Sequence, residues 1–190
     1  MAPTDPSDTV DAALRIAAAL EAAEIPYAVG GALAYGIWAV PRATVDVDLN
    51  VFVEPAAIGR VFSALSEVGA RLDVTSARAQ NTRDGMFVAH FGLFRIDVFT
   101  PSIEFSGEAE RTRVRRELDG QSVWFLSAEA IAVFKLMFFR TKDVADLERL
   151  VALRPQLDCG WVRAQIVTMM GEGDERVAGW DRLVETFRAR

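Results

Sequence analysis

The segment at residues 45–53 constrains the fold more than any other part of this chain, because its apolar and polar residues alternate with a period of two. The odd-numbered positions of this segment are apolar, and the even-numbered positions carry Asp46, Asp48, Asn50 and Phe52. Since residues two apart on a strand share a face, this pattern predicts a strand with one side packed into a core and two aspartates side by side on the other. The apolar parity consists of Val45, Val47, Leu49, Val51 and Val53.

Adjacent carboxylates repel each other, and a shared proton, a basic neighbour or a metal ion relieves the repulsion. Hard divalent cations prefer oxygen ligands of this kind, so Asp46 and Asp48 are candidate ligands of Mg²⁺ or Mn²⁺. Asp97 repeats the pattern, because it stands between apolar residues in a second β-rich segment. If the two strands are neighbours, the three carboxylates converge. The alternative is a solvent-facing strand, since charged residues are mostly exposed, although aspartate disfavours strands.

A calcium-binding loop is another interpretation of this segment, because Asp46, Asp48 and Asn50 occupy the first three ligand positions of an EF-hand. The glycine that such a loop requires would fall at Val51, and its closing glutamate would fall at Ala57. The pattern therefore fails at two positions, and the β-branched residues between the aspartates favour a strand.

The remaining hydrophobic pattern predicts an α+β fold, in which a mixed sheet is flanked by helices and followed by a C-terminal helical cap. Strands are predicted at residues 27–29, 45–53 and 121–126, with two more inside residues 86–99 joined near Gly92. We therefore divide the chain into a catalytic core at residues 1–126 and a helical region at residues 127–190 packed on it. Helices are predicted at residues 10–23, 32–38, 55–68, 127–140, 143–153, 159–170 and 175–189.

Two polar stretches and one histidine receive structural interpretations. The stretch around Asn81 and Asp84 is predicted to be a loop. His90 has no histidine or cysteine companion in a zinc-like spacing, which favours a structural role. The basic cluster is surrounded by acidic residues, so it is predicted to be a solvated helix face. It is made of Arg111, Arg113, Arg115 and Arg116.

Charge and composition exclude several classes of protein. A net charge of −6 over 190 residues disfavours broad attraction to nucleic acid, which depends on cations that neutralise phosphates. The single cysteine, Cys159, cannot form an internal disulfide, and the start of the chain lacks the basic and apolar stretches of a signal peptide. The longest apolar segment is interrupted by Lys135 and is too short to span a bilayer. We therefore expect a cytoplasmic protein without a membrane span.

Gly30 and Gly31 stand between the predicted strand at residues 27–29 and the helix that follows. Unobstructed backbone N–H groups at the start of a helix can receive phosphate oxygens. Neither the dinucleotide-binding pattern nor the Walker A pattern is completed here, and a tight turn is the simpler alternative. The informative signal is the combination of this glycine pair with the aspartates that follow it.

That combination resembles the DNA polymerase β-like nucleotidyltransferase superfamily. The segment YAVGG at residues 27–31 is followed by RATVDVDL at residues 42–49, with Asp46 fifteen positions after Gly31 (46 − 31 = 15). Within the superfamily the chain most resembles small bacterial proteins related to the AbiEii and MenT nucleotidyltransferase toxins, which pair a glycine turn with Asp-x-Asp and a later acidic residue. Asp97 corresponds to that later residue.

A second part of the resemblance lies in the helical region. Lys135 and the run RTKDVADL at residues 140–147 resemble the lysine and the Lys-Asp-x-x-Asp-Leu elements of those toxins. Asp143 and Asp146 both match the acidic residue of the last motif, and we prefer Asp146 because it lies one helical turn from Lys142. The alternatives are a snorkelling lysine and a solvated helix start.

The resemblance implies an enzyme that uses divalent metal ions to transfer a nucleoside monophosphate from a nucleoside triphosphate to an acceptor hydroxyl. Asp46 and Asp48 would bind the ions that bridge the triphosphate. Asp97 would complete the shell of the second ion and accept the proton of the hydroxyl. Lys135 and Asp146 would join these three as catalytic residues.

The resemblance also implies a nucleotide site and a choice of acceptors. The nucleotide-binding residues would be Gly30, Gly31, Arg42 and Thr44. The two glycines would cradle phosphates beside Arg42, and Thr44 would orient the strand. The acceptor would be tRNA or a protein if the chain is a toxin, which would also imply an antitoxin partner. It would be a small molecule if the chain is an enzyme of the antibiotic-modifying kind. A non-enzymatic binding module that kept the fold is the third alternative.

Overall fold

The computed structural model describes residues 4–188 of the chain, which form helices and strands around one central sheet. A short 3₁₀ turn, Pro55–Ala57, precedes the third helix. The strands are β1 (Tyr27–Val29), β2 (Asp46–Val51), β3 (Met86–Phe91), β4 (Phe94–Phe99), β5 (Val114–Leu118) and β6 (Gln121–Phe125). The helices are α1 (Thr9–Ala22), α2 (Gly31–Trp38), α3 (Ile58–Glu67), α4 (Val74–Asp84), α5 (Ser106–Arg111), α6 (Ala128–Phe138), α7 (Thr141–Leu153), α8 (Cys159–Met170) and α9 (Glu175–Arg188).

The six strands form one mixed sheet in the order β3-β4-β2-β1-β6-β5. Strand β2 is antiparallel to β1 and parallel to β4, whereas β1 is parallel to β6. The pairs β3 with β4 and β5 with β6 are antiparallel hairpins. The predicted α+β fold with a mixed sheet and flanking helices is therefore confirmed.

The apolar parity of β2 faces the main core, as the alternation predicted. Val47 and Leu49 are fully buried, and they lie beside Ile96 and Val98 of the neighbouring strand β4. Helices α1 and α3 pack together on this side of the sheet. The strand is shorter than predicted, because it begins at Asp46 and ends at Val51. The opposite face carries the polar residues.

Helix α4 corrects the predicted loop around Asn81 and Asp84. Asp73 caps its first turn by accepting a hydrogen bond of 2.7 Å from the backbone N–H of Ser76, and Gly85 ends the helix with a φ of +68°. Among its residues only Ala77 is buried, so the segment lacks the apolar stripe by which an amphipathic helix is usually predicted.

The basic cluster is not one helix face, which corrects a second prediction. Arg111 ends α5, whereas Arg115 and Arg116 lie on the edge strand β5. The side chains of Arg113 and Arg115 lie over the ring of Trp124, 4.8 and 4.9 Å from its centroid. Arg113 and Arg115 are therefore arranged by stacking on Trp124 of β6 and not by the spacing of a helix face.

The C-terminal helices pack on the sheet through α6. Ser127 caps α6 by accepting a hydrogen bond from the N–H of Ala130, and α6 contacts α2, α7 and α8. Arg154, after α7, donates hydrogen bonds of 2.6 and 3.1 Å to the carbonyls of Trp38 and Ile37 at the end of α2. The division of the chain at residues 126 and 127 stays a prediction. The predicted end of the last helix at residue 189 lies outside the described residues.

Two further observations concern the predictions made from composition. Between residues 4 and 188, no helix has both the length and the apolar character that crossing a membrane requires. His90 is exposed on β3, and its backbone exchanges hydrogen bonds of 2.6 and 2.9 Å with Arg71. The structural role predicted for His90 stays a prediction, because these contacts involve its backbone alone.

Candidate active site

Three aspartates lie on one face of two neighbouring parallel strands. Asp48 of β2 and Asp97 of β4 are direct partners in the register, and Asp46 is paired in the same way with Arg95. Neighbouring strands are about 4.8 Å apart, and residues two apart on a strand share a face. These four side chains therefore form a compact patch of three carboxylates and one guanidinium.

Asp48 is the most strongly perturbed carboxylate of the patch. Burial first, and then the negative charges of Asp97 and Asp46, raise its pKa from 3.8 to about 6. The positive charges of Lys135 and Lys142 act against this shift and lower the pKa of Asp48. The aspartates that the sequence predicted on one face therefore repel one another. The positive charges of Lys135 and Lys142 act from the other side of the site.

Asp97 is held by an ion pair that the sequence did not reveal. Its Oδ1 atom accepts a hydrogen bond of 2.8 Å from Nε of Arg95, and an Nη atom of Arg95 lies 2.8 Å from the same oxygen in an ion pair. Arg95 stands two residues before Asp97 and shares its parity, so the parity of β4 was the signal that could have found it. The guanidinium neutralises one of the three carboxylates.

The chemistry of these donors fits a divalent cation, because three carboxylates offer only oxygen ligands. Gly31 leaves the space over one of them free of any side chain, as its missing Cβ would lie 1.7 Å from Oδ2 of Asp48. Within residues 4–188, however, no three acidic, histidine or cysteine side chains are grouped as a ready metal site. Asp46, Asp48 and Asp97 as metal ligands therefore stay a prediction.

The glycine pair approaches the carboxylates closely. The backbone N–H of Gly30 donates a hydrogen bond of 2.8 Å to the carbonyl oxygen of Asp48. Gly31 has a φ of +53°, which suits glycine. Gly30 is the N-cap of α2 and offers no side chain to the first turn. Backbone N–H groups at this helix start are therefore free of a capping side chain beside Asp48.

A buried ion pair joins α6 to α7 on the other side of the site. Lys135 is 8% exposed, and its Nζ donates a hydrogen bond of 2.6 Å to Oδ2 of Asp146. Arg42 donates to the same oxygen at 3.3 Å, and Nζ of Lys135 lies 3.6 Å from Asp143. Arg42, Lys135 and Asp146, three of the residues predicted from the sequence, are thus brought into contact.

Two more cations belong to this group. Arg140 donates from Nε to Asp143 at 2.6 Å; burial alone would raise the pKa of Asp143, but Arg140 and Lys135 outweigh it and lower that pKa. Lys142 acts on Asp48 through its charge. We call Arg42, Lys135, Arg140 and Lys142 the cationic cluster.

Thr44 ties down the start of β2. Its Oγ1 donates to the carbonyl of Asp46 at 3.1 Å and accepts from the N–H of Asp46 at 3.2 Å. Its own carbonyl accepts a hydrogen bond of 2.8 Å from the hydroxyl of Thr9. These contacts fit the predicted role in orienting the strand, whereas a nucleotide-binding role for Thr44 stays a prediction.

Solved structures of nucleotidyltransferases match this arrangement of strands and helices over most of the chain. The antibiotic-resistance factor ANT(2'')-Ia, in its solution structure, matches with a TM-score of 0.56 and 20% identity, covering 95% of this chain and 91% of its own. The chain has a nucleotidyltransferase fold.

Two other structures share the nucleotidyltransferase fold with this chain. An antigenic nucleotidyltransferase-like protein from Paracoccidioides brasiliensis matches at a TM-score of 0.55 and 17% identity, over 94% of this chain and 95% of its own. The lincosamide antibiotic adenylyltransferase LnuA, in its lincomycin-bound form, matches at 0.51 and 13% identity, over 79% of this chain and 99% of its own. No protein-family model and no curated protein matches the chain. The closer likeness to AbiEii- and MenT-type toxins stays a prediction.

Proposed function

We propose that this protein transfers a nucleoside monophosphate from a nucleoside triphosphate to a hydroxyl group of an acceptor, in a reaction that depends on divalent metal ions. The observation that best supports this proposal is that a group of negative side chains and a group of positive side chains meet at one site of a nucleotidyltransferase fold. Asp46, Asp48 and Asp97 lie on the sheet, and the charges of Lys135 and Lys142 act on Asp48 from the helices. A triphosphate with its ions needs both kinds of partner.

Asp46, Asp48 and Asp97 would hold Mg²⁺ or Mn²⁺. When bound, such ions neutralise charge on the phosphates and stabilise both the attacking and the leaving oxygen of an in-line displacement. The uncapped N–H groups at the start of α2 would receive phosphate oxygens, which the positive end of the helix favours. Arg42 and Lys135 would add positive charge from the other side.

The chemical step is a displacement at the α-phosphorus. The acceptor oxygen forms a bond to that phosphorus, the bond to the bridging oxygen breaks, and pyrophosphate leaves with the electron pair. The proton of the acceptor hydroxyl passes to a carboxylate oxygen of Asp97. Asp146 would act by keeping Lys135 in place, since their contact of 2.6 Å is buried.

A small molecule is the acceptor that the structural comparisons favour. ANT(2'')-Ia has been crystallised with adenylyl-2''-tobramycin, and LnuA has been solved with lincomycin bound. Both show that this fold can serve a hydroxyl-bearing small molecule. The net charge of −6 also argues against RNA, because RNA is bound through cationic surfaces.

A toxin that modifies tRNA or a protein, with an antitoxin partner, is the second candidate. It is supported by the contact between Lys135 and Asp146, because these two residues carry the part of the sequence resemblance that is specific to the toxin-like proteins. Expression of such a toxin would arrest growth, whereas an antibiotic-modifying enzyme would confer drug resistance without toxicity.

The test is incubation of the purified protein with each α-labelled nucleoside triphosphate and Mg²⁺, together with bulk RNA, cell lysate or a panel of aminoglycosides and lincosamides. We expect label to be transferred to one acceptor class. Asp48→Asn should lower the rate at least about 100-fold, as removal of a charge-stabilising group in an active site does. Asp119→Asn, in the hairpin between β5 and β6, is the matched control and should transfer at the normal rate. Equal rates in the two variants would refute the assignment.

A further inference from the structure

The ion pair between Arg95 and Asp97 has no role in the reaction proposed above. Both residues lie on β4, two positions apart and on one face, with Arg95 beside Asp46 and Asp97 beside Asp48. Nε of Arg95 donates a hydrogen bond of 2.8 Å to Oδ1 of Asp97, and one Nη atom lies 2.8 Å from the same oxygen. One guanidinium thus occupies one of the two carboxylate oxygens that Asp97 could offer to a metal ion.

Arg95 is also influenced by the other two carboxylates. Arg95 is the register partner of Asp46, and Asp97, which it contacts, is the register partner of Asp48. Arg95 therefore serves as a counter-ion for the whole patch. Without it, three carboxylates on adjacent strand positions would repel one another in a partly buried site.

A guanidinium and a divalent cation cannot occupy the same lone pairs of one carboxylate oxygen. The side chain of Arg95 is 48% exposed, so it can move into solvent without losing a packed position. Ion pairs at such exposed sites are weak, which makes displacement by a doubly charged ion inexpensive. The guanidinium of Arg95 and a divalent cation therefore compete for the same carboxylate oxygen of Asp97, and the divalent cation binds it more strongly.

We infer that Arg95 is a tethered counter-ion that holds Oδ1 of Asp97 until a divalent cation displaces its guanidinium from that oxygen. This inference rests on the proposed function, because it takes Asp97 as an ion ligand. Its consequence is that free divalent cations bind less tightly to this protein than they would to the three aspartates alone.

The test measures ion binding and not catalysis. Mn²⁺ is titrated into the nucleotide-free protein and its free concentration is followed by electron paramagnetic resonance. We expect Arg95→Gln to bind Mn²⁺ about 5- to 10-fold more tightly than the wild type, from the loss of one competing charge contact. Arg163→Gln is the matched control, since it removes an arginine from exposed ion pairs with Glu172 and Asp181 in the C-terminal helices. It should stay within about twofold of the wild type, because it leaves Oδ1 of Asp97 occupied.

Nuclear magnetic resonance supplies a second readout. The Nε–H signal of Arg95, assigned from its absence in Arg95→Gln, should exchange slowly without metal and lose that protection when Mg²⁺ is added. An unchanged signal at saturating Mg²⁺ would overturn the inference. So would equal Mn²⁺ affinities in Arg95→Gln and Arg163→Gln, and both results would leave the proposed function standing. If no variant binds Mn²⁺, the proposed metal-dependent function fails, and the inference fails with it.

Discussion

At the scale of single residues, Asp48 concentrates the electrostatics of the site. Burial and then the charges of Asp97 and Asp46 raise its pKa to about 6, against 3.8 without them. The folded protein therefore holds this proton more tightly than the unfolded chain does. The stability that this group contributes is present below about pH 4 and is lost as the pH rises through about 6.

We therefore predict that Asp48→Asn, which cannot ionise, stabilises the metal-free protein at pH 8. A shift of this size corresponds to roughly 2 to 3 kcal/mol in the free energy of unfolding. The difference should shrink towards zero near pH 4, where the wild-type carboxyl is protonated. Urea unfolding in the presence of EDTA at pH 4, 6 and 8 measures it, with exposed Asp119→Asn as the control. A difference that stays constant across these pH values would contradict the predicted proton linkage.

Much of this residue-level chemistry could be predicted from the sequence, but not all of it. The parity of residues 45–53 was enough to place Asp46 and Asp48 on one face, because a strand leaves no other choice. Parity could also have placed Arg95 and Asp97 on one face of β4, but it does not give the rotamer that brings Nε to Oδ1. The effect of the positive charges of Lys135 and Lys142 on the pKa of Asp48 could not be predicted either, because it depends on helices that lie far away in the sequence.

At the scale of elements, the joint between α6 and α7 depends on one buried ion pair. Lys135 and Asp146 are eleven residues apart and meet at 2.6 Å, with side chains 10% and 4% exposed. Removing one partner of a buried pair leaves an uncompensated charge in a place with little water, which typically costs 3–5 kcal/mol. Arg42 remains near Asp146 and offsets part of that cost.

We predict that Lys135→Met lowers the free energy of unfolding by about 2 to 3 kcal/mol, and that the double change Lys135→Met with Asp146→Leu recovers part of it. Arg163→Met is the matched control, because Arg163 makes exposed ion pairs with Asp181 and Glu172. It should cost at most about 1 kcal/mol. Urea unfolding at pH 7 compares the four proteins. If Lys135→Met costs no more than Arg163→Met, the buried pair does not stabilise the joint.

Two of the elements that the sequence failed to predict, α4 and β5, bury few apolar residues. Helix α4 buries only Ala77, so its caps at Asp73 and Gly85 were the only signals of its presence. The three central residues of β5, Arg115, Arg116 and Glu117, are all exposed. Edge elements of this kind are held in place by their neighbours and by caps. The periodic pattern of apolar residues in the sequence therefore does not predict them.

At the scale of the whole molecule, the order of the strands decides where the carboxylates meet. Strand β4 lies parallel to β2 although α3, α4 and β3 stand between them in the sequence. The sequence predicted two β-rich segments with matching aspartates, but their register, Asp48 beside Asp97, is a long-range property. It follows from the packing of helices on the sheet, for which the local pattern contains no information.

The same long-range packing makes the proposed boundary at residue 126 testable. Helix α6 contributes buried side chains that include Ile131, Val133 and Leu136. Phe105, before the boundary, packs edge to face on Phe134 beyond it, with ring centroids 5.3 Å apart. Burying one such side chain is worth about 1.5–3 kcal/mol, so a few of them match the whole net stability of a domain, about 5–15 kcal/mol.

We therefore predict that the fragment 1–126 does not fold by itself and that the full chain unfolds in one cooperative transition. Two of the four tryptophans, Trp38 and Trp124, lie before the boundary, and Trp161 and Trp180 lie after it. Fluorescence of a variant with Trp38→Phe and Trp124→Phe then reports the C-terminal helices alone, and the reverse pair of changes reports the core. Both should give the same urea midpoint as circular dichroism, because the shared core couples the two halves. Two separate midpoints, or a fragment 1–126 with a cooperative transition of its own, would show instead that the sheet and the C-terminal helices are independent domains.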